Sequence, residues 1–260
     1  MRKTLVRNMK DLRNGQDPLS EAWEGASPIG LPDLPEVFFE EMRRHFRLDG
    51  SGRLLVLWCG AGVFLPLAES FESILIADPE PDRLAEARRD ATRMGIRNVI
   101  PLEGGAELLH PRMGRFRLVI VQDAFLRRDR MRRLSFLAKM TEPEGGAVIA
   151  EVHRCSPLTD WQKVALEVLR QLEERLPVEK TIPCRPVEPL GHSPFRQVNL
   201  FIHRWTQRRT IDQTVKGILA ASCPFSKKRS AEEALRHALR KAHSSNILEE
   251  RLRLTAVFAK

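Results

Sequence analysis

Between Arg53 and Ala150 the chain repeats one unit: a short apolar run, a turn, then an amphipathic stretch. The runs are Leu54-Leu55-Val56-Leu57, Ser73 to Ala77, Asn98 to Leu102, Phe116 to Val121 and Ala147 to Ala150. Most are apolar throughout and not alternating, as strands buried on both faces are. Pro81 to Met94 places Leu84, Ala87, Ala91 and Met94 at helical spacing, and Arg128 to Met140 reads as another helix. Parallel neighbours need crossovers, so the series predicts an α/β fold: a parallel, doubly wound sheet with helices on both faces.

The flanks read differently. Residues 1–35 are polar and punctuated by Pro and Gly, which predicts an irregular arm. Pro35 opens a helix through Phe46, and Asp49-Gly50-Ser51-Gly52 stops it. Residues 36–155 then form the core, and 156–260 complete the same domain. Three capping boxes are expected to start helices: Thr159-Asp160-Trp161-Gln162, Thr210-Ile211-Asp212-Gln213 and Ser230-Ala231-Glu232-Glu233. Val198 to Trp205 reads as a strand, and Leu252 to Phe258 as a last edge strand.

Composition narrows the function. The 43 Lys and Arg against 34 Asp and Glu give a net charge of +9, which points only weakly to a polyanion. The densest basic patch, 127–133, lacks the interleaved aromatic platform of a nucleic-acid surface, so a small-molecule partner is favoured over nucleic acid. The longest apolar run, Leu54 to Ala68, is broken by Gly60, Gly62 and Pro66, and no membrane span is expected. The basic start has no apolar stretch behind it, which makes a cytoplasmic location the expectation. Cys59, Cys155, Cys184 and Cys223 lie far apart, without metal-ligand spacing, and are expected to be reduced and mostly buried.

In an open parallel sheet, ligands sit beyond the carboxyl ends of the strands. Those ends deliver Trp58-Cys59-Gly60-Ala61-Gly62, then Asp78-Pro79-Glu80, then Gly104-Gly105-Ala106-Glu107. The fourth strand delivers Gln122-Asp123-Ala124-Phe125, and the fifth Glu151-Val152-His153. Glycines at a helix start admit close backbone approach, and an acid ending the second strand accepts hydrogen bonds from both hydroxyls of a ribose. The pair points to a nucleoside ligand, with Asp78 as a solvent-facing acid.

The stretch from Gly52 to Gly62 resembles motif I of the class I S-adenosylmethionine-dependent methyltransferases. Ile76-Ala77-Asp78-Pro79-Glu80 resembles the ribose-binding motif of that family, Leu102 to Glu107 its adenine-flanking segment, and Glu144-Gly145-Gly146 its Pro-Gly-Gly turn. The resemblance implies a seven-stranded Rossmann-like sheet with a helical insertion before the last strand. It also implies S-adenosylmethionine as cofactor and methyl transfer to a small-molecule acceptor. Cofactor contacts then fall on Trp58, Gly60, Gly62, Asp78, Pro79, Gly105, Ala106 and Gln122, with Asp123 and His153 as catalytic candidates. Three positions depart from the pattern. The motif I acid falls on Val56, its first glycine on Trp58, and the acid beside the adenine on Gly105. These departures leave an alternative, a methyltransferase-like scaffold that has lost its cofactor.

Replacing Trp58 by Gly separates two roles for the indole. If it obstructs the pocket, calorimetry reads tighter cofactor binding; if it packs in the core, the melting temperature falls instead.

Overall fold

The computed structural model describes residues 4–8, 32–57, 61–105, 109–122, 130–155, 157–172, 194–221 and 228–260. Eight strands form one sheet: β1 (Thr4–Asn8), β2 (Arg53–Leu57), β3 (Ser73–Asp78), β4 (Val99–Glu103), β5 (Phe116–Gln122), β6 (Thr141–Arg154), β7 (Val198–Thr210) and β8 (Ile247–Ala259). Their order is β1-β7-β8-β6-β5-β2-β3-β4. The five strands from β2 to β6 are parallel, while β8 runs antiparallel between β6 and β7.

Both faces of β2, β3 and β5 are covered, as their apolar runs predicted, whereas β4 at the sheet edge leaves Ile100 50% exposed. Leu54, Val56, Ile74, Ile76, Leu118 and Ile120 join a core with α1 (Glu36–Phe46) and, beyond the short α2 (Ala61–Phe64), α3 (Pro81–Arg93). The alternate residues Leu55, Leu57, Leu75, Val119 and Val121 pack with Leu134, Leu137 and Met140 of α4 (Arg130–Met140) on the other side. A third core joins α5 (Asp160–Gln171), α6 (Ile211–Ala221) and α7 (Lys228–Ala242) through Trp161, Leu169, Ile218, Leu235 and Leu248.

The module of the third core sits on a ribbon. β7 and β8 stay paired from Trp205↔Leu252 out to Thr210↔Ile247, past the end of β6 at Arg154↔Leu252. Five further residues of β8 carry the ribbon about 17 Å beyond the end of β6. Helices α6 and α7 fill the connection at its tip, where Ile211 N donates to Asn246 O at 3.0 Å. Trp161 Nε1 donates to Glu249 O at 2.9 Å and Gln162 Nε2 to Glu250 Oε1 at 2.7 Å, fastening α5 to the same ribbon.

Several expectations change. The N-terminal arm contributes an edge strand, β1, antiparallel to β7. That pairing, with β8 inserted beside β6, makes the last strand interior and not an edge. The Thr210 box forms as a reciprocal pair, Thr210 N to Gln213 Oε1 at 2.9 Å and Gln213 N to Thr210 Oγ1 at 3.1 Å. Ser230 lies inside α7, which starts two residues earlier at Lys228, so its box caps nothing. Gly145 and Gly146 lie within β6 and do not turn into it, because the strand already pairs at Thr141 before a register shift opposite Phe116 to Leu118. Cys155 is exposed and not buried. The Pro-rich connection from Pro177 to Pro189 lies outside the described residues.

A Cβ on Gly146 would fall on the Ala259 carbonyl oxygen and 2.5 Å from Phe46 Cε1. Both neighbours are fixed, one by β8 pairing and one by the core. Gly146→Ala is therefore expected to cost about 2–3 kcal/mol and lower the melting temperature by about 5–10 °C in a thermal scan.

Candidate functional site

The chain order reverses across β2. From there it moves outward through β3 and β4, then returns to β5 on the opposite side. Such a switch point opens a crevice at the carboxyl ends, because the two crossovers leave in opposite directions. Register levels the crevice: Leu57 lies beside Ala77 and Val121, Asp78 beside Glu103, and Gln122 beside Ala150.

Asp78 ends β3, and its surroundings are specific. It is only 2% exposed, so the expected solvent-facing acid is in fact buried. Oδ1 accepts from Glu80 N at 2.9 Å, closing the turn into α3. Oδ2 has no hydrogen-bond partner among the described residues, and the nearest cation is Arg83 Nη1 at 3.7 Å. A buried carboxylate oxygen held without a donor is costly, by about 1–3 kcal/mol or more. The cost is understandable if a ligand supplies the donors.

The neighbouring backbone is open. Gly104 has φ +130°, a conformation natural to glycine, and its N donates to Asp78 O at 3.0 Å. This draws the β4 exit against the β3 exit, with Gly105 buried behind it and Pro79 exposed in front. Gly62 lies in α2, exposed, where a Cβ would meet nothing within 4 Å. Open space there and an unmatched oxygen at Asp78 fit a ribose-bearing ligand laid across the β2 and β3 ends.

Other sequence-derived positions divide. Trp58, Gly60, Ala106 and Asp123 lie outside the described residues. Gln122 ends β5 at the switch point, as expected. Val56, in the place of the motif I acid, is fully buried in the first core and cannot brace a glycine loop by charge.

His153 stands apart from Asp78. It lies on β6 three residues past Ala150, the partner of Gln122, or about 10 Å further along the strand. Its ring is 4% exposed, and Nε2 is 3.4 Å from Glu151 Oε2. Glu151 was named at the end of the fifth strand but given no role, though residues i and i+2 of a strand share a face. Arg83 was missed. Its place in the first turn of α3 brings it back over the end of β3.

No protein-family profile matches the chain, and no curated protein resembles it in sequence. Solved structures do resemble it. One is a SAM-dependent methyltransferase from Geobacter sulfurreducens in complex with S-adenosyl-L-homocysteine, at 15% identity and TM-score 0.51, covering 93% of this chain and 98% of that one. The YcgJ protein from Bacillus subtilis aligns at 16% identity and TM-score 0.51, covering 87% and 99%. Precorrin-6y C5,15-methyltransferase from Geobacter metallireducens aligns at 12% and 0.50, covering 91% and 95%. The resemblance implied seven strands, and the sheet has eight, with β1 at the edge beside β7. The chain has the Rossmann-like fold of the class I methyltransferases.

Proposed function

We propose that the protein is an S-adenosylmethionine-dependent methyltransferase with a small-molecule acceptor. The observation that carries this reading is Asp78 Oδ2, buried at the end of β3 and without a hydrogen-bond donor among the described residues. Two ribose hydroxyls would satisfy it, and each charge-assisted bond is worth about 1.5–3 kcal/mol. Trp58, Gly60 and Gly62 would line the methionine side, with Pro79, Gly105 and Ala106 around the adenosine and Gln122 at the β5 end.

Bound S-adenosylmethionine supplies an electrophilic methyl group on its sulfonium. The protein's part in such a transfer is to align the acceptor in line with the methyl and keep water out. A base is needed only if the acceptor must shed a proton. His153, with Nε2 3.4 Å from Glu151 Oε2, is one candidate for that base, and Asp123, the residue after Gln122 in the sequence, is the other.

The rival reading is a scaffold that has lost its cofactor, and it is supported by Val56 in the place of the motif I acid. Asp78 decides between them. A residue kept for the fold stabilises it, whereas a residue kept for a ligand is often a burden on the free protein. Asp78→Asn keeps an acceptor for Glu80 N and removes a buried charge. It is expected to melt within about 2 °C of the native protein or above it, since the loss of that charge offsets any lost contact. Asp78→Ala is expected to weaken S-adenosylhomocysteine binding about 100-fold in a calorimetric titration. Equal affinity in native and Ala proteins would remove Asp78 from the ribose role. No binding by the native protein at millimolar ligand would establish the scaffold.

A further inference from the structure

Asp78 Oδ2 is shut away from solvent, so a ligand cannot meet it until something moves. The residue is 2% exposed and the oxygen itself is buried. Facing it is Arg83, whose Nη1 stands 3.7 Å away on a side chain that is 37% exposed. At that separation the two charges attract without a hydrogen bond. A hydroxyl donating to Oδ2 from the direction of Arg83 would come within about 1 Å of Nη1, so the two exclude each other there. The other neighbours are backbone. Glu80 N holds Oδ1 at 2.9 Å, and Gly104 N closes on the Asp78 carbonyl at 3.0 Å. Arg83 is the long, flexible one.

The helix alone gives no reason for a cation at this place. Arg83 lies in the first turn of α3, where the aligned peptide dipoles favour acids and oppose cations. Its N donates to Glu80 O at 3.1 Å, which fixes the backbone of the turn while the side chain keeps its rotamers. Glu86, three residues on and exposed, is its neighbour on the helix surface and offers a second carboxylate outside the crevice.

We infer that Arg83 is the gate of the ribose site: it covers Asp78 Oδ2 in the free protein and turns outward, toward Glu86, to let ribose hydroxyls reach that oxygen. The gate rests on the ribose-binding part of the methyltransferase reading and not on methyl transfer itself. A buried carboxylate without a counter-charge is costly, and Arg83 supplies that charge until the hydroxyls replace it. Nucleoside affinity is then set in part by the ion pair that binding breaks.

Adenosine is the probe, because it carries the ribose and no charge, so salt reaches its binding through the protein. Calorimetric titrations compare the native, Arg83→Ala and Arg93→Ala proteins, Arg93 being an exposed guanidinium at the far end of α3. Arg83→Ala is expected to bind adenosine about fivefold tighter at low salt, the equivalent of one released ion pair. Raising sodium chloride from about 50 to about 500 mM screens the pair. It is expected to tighten binding about threefold in the native and Arg93→Ala proteins and to leave Arg83→Ala unchanged. Weaker binding by Arg83→Ala would make the guanidinium a donor to the ligand, and equal affinity in all three would make it a bystander. Either result overturns the gate, as does the absence of adenosine binding in native and Arg83→Ala proteins at millimolar ligand. S-adenosylhomocysteine titrated into the same samples reports on the cofactor separately. Adenosine binding gated by Arg83, without S-adenosylhomocysteine binding, keeps the gate and removes methyl transfer.

Discussion

Pairing of β2 with β3 on one side and β5 on the other sets the whole carboxyl edge. It makes β2 the strand at which the chain order reverses, sends the two crossovers to opposite faces and leaves a crevice where their loops part. The apolar side chains of β2 hold that geometry from both sides. Leu54 and Val56 face the core of α1 and α3, and Leu55 and Leu57 face that of α4. Val56 shows the balance struck here. An acid at this place would brace the loop above it, whereas valine adds to the core and leaves the loop without that charge. Asp78 on the next strand then stands as a buried carboxylate oriented toward the same crevice.

The second determinant is the length of β7 and β8. Each has 13 residues against five in β2, so the antiparallel pair outgrows the parallel sheet and becomes a ribbon above the crevice. One ribbon face holds the three-helix module through Leu248 and the Glu250–Gln162 bond. The other carries Arg204, opposed to Arg253.

What was legible in the sequence follows from the range of the forces involved. Continuous apolar runs such as Leu54 to Leu57 identify buried strands, because burial on both faces leaves no room for polar alternation. The end of β3 identified Asp78 for the same local reason. Burial of Asp78 was not legible, since it depends on how Gly104 and Arg83 close over it from two other segments. The interior place of β8 depends on its pairing with β6, more than 90 residues distant, and with β7, in part more than 50 residues distant, and no local signal carries that. The arm's strand is similar, for Thr4 to Asn8 become a strand only against the open edge of β7. Ser230 shows the converse error, a local signature overridden by packing of α7 from Lys228 onward.

The account turns on one atom, Asp78 Oδ2. A crystal structure of the protein with S-adenosylhomocysteine measures its distance to the ribose hydroxyls directly. The account predicts at least one hydroxyl donating to Oδ2 at about 2.5–3.0 Å, with the adenosine lying along Pro79 and Gly105. A ligand bound elsewhere, or in the crevice with Oδ2 still facing only Arg83, would contradict it.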